Sequence, residues 1–339
     1  MNCLRRALTQ AWLTRGLLAW TLWPVSVFFT GMVRSRQWLY QQGVFKPQSL
    51  PVPVVVVGNV LVGGVGKTPV VMALVQHLKQ SGLQVGVLSR GYGRKTRDVR
   101  EVHASDQPQD VGDEPLLIAK NCAVPIWVGA DRVTAAKSLL THYPNTQVLV
   151  CDDGLQHLAL ARDVELCVFD ERQLGNGWLL PAGPLREPWP RAKTPEIAGF
   201  ELTSSADTTL GEYQVHKKLA DYAVRADGSQ RSIPQGYPHP VQALAGIAKP
   251  HVFFEMLRQQ GLRLSHTQAL ADHADMHGVK IDDIFGELLC TEKDAVKLWP
   301  DHPQAWAVPL VTTLPPSLLE AIDACLDRKL SSQHGHQIT

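Results

Sequence analysis

Residues 52–71, VPVVVVGNVLVGGVGKTPVV, admit few folds. An apolar, β-branched run of this kind suits a strand buried on both faces, which calls for a parallel sheet covered by helices. The glycine-rich turn after it closes on Lys67 and Thr68, and Val71, Leu74, Val75 and Leu78 then recur at helical spacing. Strand, glycine turn and helix together form a phosphate cradle. Backbone N–H groups and the helix N-terminus face the anion, Lys67 supplies a cation, and the Thr68 hydroxyl can hold Mg²⁺. The strict GxxxxGK[ST] spacing fails at its first position, Leu61, leaving the variant in which the first glycine is replaced. Leu61, Val62, Gly63, Gly64, Val65, Gly66, Lys67 and Thr68 are therefore the expected nucleotide contacts.

The alternation continues along the chain. Further apolar strands are predicted at residues 85–88, 126–128, 148–151 and 166–169, so the fold class is α/β, a P-loop parallel sheet sandwiched by helices. The motif VLVCDDGLQH delivers Asp152 and Asp153 to the carboxyl edge of that sheet, where α/β enzymes bind ligands. Either carboxylate can serve a Mg²⁺ shell; a solvated acidic turn is the plain alternative. Residues 203–240 become polar and rich in turn formers, and a second α/β pattern begins with the apolar run 241–245. A chain of 339 residues, 45% of them hydrophobic, can bury two cores. The expected organisation is a hydrophobic segment 1–46, a P-loop domain 47–205, a polar linker 206–240 with short strands in YQVHKKL and YAVRADG, and a smaller α/β domain 241–339. The final helix is free to pack on either domain.

Residues 16–33, GLLAWTLWPVSVFFTGMV, carry no charge, with Arg5, Arg6 and Arg15 before them and Arg34 and Arg36 after. A membrane span needs roughly 20 apolar residues, Pro24 interrupts this one, and basic residues at both ends select no orientation. Trp12, Trp20, Trp23 and Trp38 suit the lipid headgroup layer. A helix lying in the membrane surface, a span or re-entrant hairpin, and a helix buried in protein all fit; the first two place the chain beside lipid. The net charge of +1 points away from a general nucleic-acid binder. Six cysteines without a CxxC pair suit a reduced compartment better than a disulfide framework or a zinc ribbon.

Three clusters lie outside the generic nucleotide-binding pattern. SRGYGRK, residues 89–95, sets Tyr92 among basic side chains. GDEP, residues 112–115, places Asp113 and Glu114 at a helix start where Pro115 fits the first turn. LLPAGPLREP, residues 179–188, presents Arg186 and Glu187 on a proline-stiffened loop. Taken singly, these read as a turn, a helix cap and a rigid connector.

Taken together and in order, VGNVLVGGVGKTPVV, LSRGYGRK, GDEPLLIA, VGADR, VLVCDDGLQH, LLPAGPLREP, LAGIAKPHVFFEML and LCTEKDAVKL resemble the tetraacyldisaccharide 4′-kinase family of lipid A synthesis across nearly the whole chain. The resemblance implies transfer of the ATP γ-phosphate, with Mg²⁺, to the 4′-hydroxyl of an acylated glucosamine disaccharide 1-phosphate at the cytoplasmic face of the inner membrane. It also implies two α/β/α domains joined by a short β linker. By position it makes Asp113 the catalytic base and His273 its orienting partner, although Leu270 and Ala271 stand where the family shows an aromatic residue and a proline. Thr68, Asp153, Asp152 and Glu114 become Mg²⁺ ligands, and Arg132, Arg186, Glu187 and Tyr92 substrate or phosphate contacts. Lys293 of TEKD either reaches phosphate or pairs with an acid. On residues alone, two other classes stay open: a P-loop ATPase switch, which often carries a lysine where this chain has Val62, and a membrane-anchored nucleotide sensor, which would leave Asp113 and His273 without a task.

Overall fold

The computed structural model describes residues 8–192, 194–205 and 210–334. Two compact units emerge, one made of Met1–Ser89, Asp131–Val215 and Leu314–Thr339, the other of Arg90–Ala130 and His216–Thr313. Each is built from separate stretches of chain, unlike the continuous blocks 47–205 and 241–339 expected from sequence order. Residues 90–130 fall in the second unit and the terminal helix in the first.

The first unit is organised around parallel strands in the order Val85–Ser89, Val148–Asp152, Val54–Gly58, Val164–Phe169, Ala198–Thr203 and Tyr213–Gln214. Val54, Val55, Val56 and Val57 are all buried, as a strand covered on both faces requires. Val57 pairs with Asp152 on one side, and Gly58 with Cys167 on the other. The loop leaving Gly58 is thereby flanked by the turns that leave Asp152 and Phe169. The phosphate-loop helix, Lys67–Gln80, buries Val70, Val71, Leu74, Val75 and Leu78. The terminal helix, Pro316–His334, buries Leu318, Ile322 and Leu326, and its Asp323 meets His77 of the phosphate-loop helix at 2.9 Å.

The N-terminal apolar stretch is a helix, Leu17–Gln41, which contains Pro24. Its buried residues, Ala19 and Ser26, are seven apart, and Leu17 and Phe28, 88% and 70% exposed, are eleven apart. At 100° per residue these pairs define opposite faces. Ser26 donates to the Leu179 carbonyl, Trp20 meets Trp178 edge-on at 4.8 Å, and Gln37 donates to Glu187 at 2.9 Å. Just before the helix, Trp12 donates to Pro181 O and Arg15 to Asn176 O. The helix therefore lies along the first unit.

In the second unit a sheet runs Gln230–Ser232, Tyr222–Val224, Trp306–Val308, Leu288–Thr291, Val241–Ala245 and Leu264–Ala269. The last four strands are mutually parallel, whereas the first two join antiparallel. Within the stretch expected to be a linker with short strands, Tyr222–Val224 and Gln230–Ser232 join this sheet. Asp113–Cys122 and Glu292–Leu298 are the helices that carry this unit's charged cluster.

Candidate active site

The phosphate loop is held from both flanking turns. On one side Lys67 Nζ lies 3.1 Å from Asn59 Oδ1 and 3.4 Å from Asp153 Oδ1. Arg186 Nη1 donates to both Asp153 oxygens at 3.0 and 3.1 Å, and Arg132 Nη2 donates to the Asp153 carbonyl at 3.2 Å. Burial works to raise the Asp153 pKa, but Lys67 and Arg186 outweigh it and hold the carboxyl below its usual range. Asp152, one residue earlier, ends its strand and is buried, as is Thr68 at the helix start. On the other side Arg172 pairs with Asp170 at 2.9 Å and donates to the Val62 carbonyl at 3.0 Å. Gly63, between these partners and Lys67, takes φ +95°, a conformation that suits glycine. Leu61 pairs antiparallel with Leu185, and Arg186 N donates to Val60 O, so the LLPAGPLREP loop is tied to the phosphate loop through backbone.

Glu187 does not follow its neighbour. At 2% exposure it accepts from Gln37 and Gln156 and pairs with Arg191 at 3.3 Å. A carboxylate buried among these donors ties the N-terminal helix to the loop.

The second unit gathers a different chemistry. Asp113 opens its helix at 5% exposure, with Gly112 before it at φ +97°. A Cβ on Gly112 would come within 3.0 Å of Gly91 Cα, so the GYG and GDEP segments meet backbone to backbone. This contact carries Tyr92 to 5.2 Å from the His273 ring. His273, itself at φ +59°, sets Nδ1 3.0 and 3.2 Å from the Asp113 oxygens. Lys297 Nζ lies 3.5 Å and Lys293 Nζ 3.9 Å from Asp113 Oδ2. Burial opposes ionisation of Asp113, yet the His273 hydrogen bond and the two lysines lower its pKa to about 2. The bond to Asp113 raises the His273 pKa, against burial and Lys293. In the neutral ring, Nδ1–H donates to Asp113 and Nε2 accepts from Lys293 at 3.2 Å.

Lys293 also pairs with Asp272 at 3.2 Å and Glu114 at 3.5 Å, so of its two expected roles the pairing with acids is the one seen. Thr291 caps the TEKD helix by accepting from Asp294 N. Asn59, Asp170, Arg172 and Lys297 are site residues that the sequence reading passed over. Asp170 had a signal, since it follows an apolar strand of the parallel sheet just as Asp152 ends one. Lys297 had only its helical spacing, four residues after Lys293.

Comparison with known proteins identifies the family. The sequence model of the tetraacyldisaccharide-1-P 4′-kinase family matches residues 18–327. The tetraacyldisaccharide 4′-kinase of Acidovorax ebreus (strain TPSY) is 48% identical over 336 residues, covering 98% of this chain and 97% of that protein. That of Polaromonas naphthalenivorans (strain CJ2) is 47% identical over 344 residues, 99% of this chain and 100% of the relative. The crystal structure of "apo" form LpxK from Aquifex aeolicus in complex with ATP superposes with a TM-score of 0.78 at 28% identity, covering 91% of this chain and all of that one. The chain belongs to the tetraacyldisaccharide-1-P 4′-kinase family.

Proposed function

We propose that this kinase of lipid A biosynthesis divides its reaction between the two side-chain sets just described. It moves the γ-phosphate of ATP to the 4′-hydroxyl of tetraacyldisaccharide 1-phosphate: the sugar oxygen bonds to phosphorus, the bond to the β-phosphate oxygen breaks, and ADP leaves. In the first unit, residues 61–68 cradle the phosphates and Lys67 and Arg186 neutralise their charge. In the second, Asp113 orients the acceptor hydroxyl and takes its proton.

A carboxylate with a pKa near 2 is a weak base. In a loose phosphoryl-transfer transition state the proton leaves late, after the hydroxyl has become acidic, so a weak and well-placed base suffices. His273 and the two lysines keep Asp113 ionised and aimed. The 60% exposure of Tyr92 beside His273 supports a role for it in contacting the acceptor.

Thr68 and Asp153 would hold Mg²⁺. A helix-start hydroxyl with an adjacent carboxylate is the hard-oxygen set this ion uses when nucleotide phosphates complete its shell. Among the described residues no group of His, Cys, Asp and Glu forms a metal cage without such phosphates. Bound there, Mg²⁺ would supply further neutralisation of phosphate charge, with the buried Asp152 as a further candidate ligand; Glu114 faces Lys293.

The apolar helix supports placement at the membrane surface. Its contacts with the first unit extend over most of its length, which favours a helix lying in the interface over one crossing the bilayer. Need for ATP puts that surface on the cytoplasmic side of the inner membrane.

The observation that carries the catalytic assignment is a buried Asp113 carboxyl clasped by His273 at 3.0 Å. Asp113→Asn, assayed with labelled ATP and the lipid acceptor, should lower kcat by about 10² to 10⁴ with little change in ATP affinity. Retained transfer of label to lipid would remove Asp113 from the role.

A further inference from the structure

We propose that Asp170 and Arg172 form a staple that presets the phosphate loop for the triphosphate, an inference that rests on the loop being the ATP site. Asp170 is 2% exposed and stands where the strand Val164–Phe169 ends, one strand over from the one that feeds the loop. Its carboxylate takes Arg172 side-on, with Nε at 3.0 and 3.1 Å and Nη2 at 2.9 Å, and also accepts from the Arg172 backbone N–H at 3.1 Å. The guanidinium is fixed in plane by these bonds. Its outer edge then points at the loop, where Nη1 donates to Val62 O at 3.0 Å and Nη2 reaches Gly64 O at 3.5 Å.

A trans peptide is planar, with its C=O and N–H opposed. Holding the Val62 carbonyl on the Arg172 side therefore turns the Gly63 N–H to the opposite side, and the weaker contact at Gly64 acts the same way on the next peptide but one. Backbone donors aimed in one direction are what an anion-binding loop needs. The glycine at position 63 fits this arrangement, since its φ of +95° is one that other residues rarely adopt. Arg172 is thus a positioning residue that acts through the backbone, with its charge matched by Asp170. P-loop proteins of the switch type bring a lysine just before the paired glycines; here the corresponding Val62 is approached from outside, through its carbonyl.

Two isosteric or charge-preserving variants separate this role from a direct contact with phosphate. Asp170→Asn removes a negative charge near the triphosphate, so electrostatics alone would tighten ATP binding. Arg172→Lys keeps the cation but loses the planar fork. Under the staple each should raise the ATP Kd and KM by roughly tenfold in the full-length protein, with kcat reduced less, and the double variant should be little worse than either single one. Thermal melting of Arg172→Lys, the milder change, serves as the folding control. Tighter or unchanged ATP binding in Asp170→Asn, or wild-type KM in a folded Arg172→Lys, would overturn the staple. Lys67→Ala separates the underlying reading: if that variant binds ATP normally, the loop is not the nucleotide site, whereas its loss of binding beside unaffected staple variants condemns the staple alone.

Discussion

Asp113 gains most of its character from neighbours distant in sequence, and this gives stability a particular pH dependence. Its folded pKa, about 2, lies below the usual 3.8, so its contribution is present above pH 3.8 and is lost as pH falls through 2. The shift corresponds to about 2 kcal/mol. His273 is shifted upward, so its share is present below its usual 6.5 and is lost as pH rises through the raised value. The destabilisation caused by Asp113→Asn should therefore be greatest between about pH 4 and 6.5. It should shrink toward pH 2, and shrink in part above neutrality, where Lys293 and Lys297 still face the site. Urea midpoints of both proteins at pH 3, 5.5 and 8.5 test this; a difference flat across the three would mean that the cluster contributes no linked protons. The sequence disclosed Asp113 and His273 through family resemblance alone, because nothing local joins residues 160 positions apart. Residue chemistry implied a cation, a hydroxyl and a carboxylate at Lys67, Thr68 and Asp153. Glu187, a contact implied by the resemblance, is buried against Gln37, Gln156 and Arg191, and no local pattern announces the distant helix that supplies Gln37.

The N-terminal helix shows how far an element can be read locally. Its apolar length is plain from residues 16–33 alone, yet the partition of its faces depends on where the loop 176–187 meets it. Ala19 and Ser26 are consumed by that contact, and Leu17 and Phe28 are left outward. These two outward side chains contribute nothing to the folded core, while lipid would cover them. Leu17→Glu together with Phe28→Glu should reduce partitioning onto anionic lipid vesicles by at least tenfold while changing folding stability by only about 0.5 kcal/mol. Vesicle flotation and thermal melting read the two effects separately. Undiminished flotation would place the anchor on another surface; a large loss of melting temperature would mean the outward face is covered by protein. The phosphate-loop strand and helix, by contrast, were legible because strand, turn and helix are consecutive and each carries its own periodicity. Arg172 was not, since its value lies in meeting the carbonyl of Val62, 110 residues earlier.

At the scale of the whole molecule, sequence order is a poor guide to which residues share a core. The alternating pattern correctly implied parallel sheets, but periodicity is silent on where the chain crosses from one unit to the other. Residues 90–130 join the second unit, the chain returns to the first for residues 131–215, and after residues 216–313 it returns again for the terminal helix. That helix buries Leu318, Ile322 and Leu326 and places Asp323 on His77 and Lys329 3.0 Å from Asp163. Three aliphatic side chains at about 1.5–3 kcal/mol each come to roughly 5–9 kcal/mol, comparable with the net stability of an ordinary domain. Deleting residues 314–339 should therefore damage the nucleotide unit, although the deleted segment follows the second unit in sequence. ATP-induced thermal stabilisation should be lost in the truncated chain. The milder Ile322→Ala, expected to cost about 2–5 kcal/mol, should lower the melting temperature while leaving ATP affinity at low temperature close to wild type. The ion pairs of the helix go to His77 and Asp163, outside residues 61–68, so its effect on binding is expected to run through the stability of the unit. A truncated protein that melts and binds ATP like the intact one would show that the first unit is complete without its final helix.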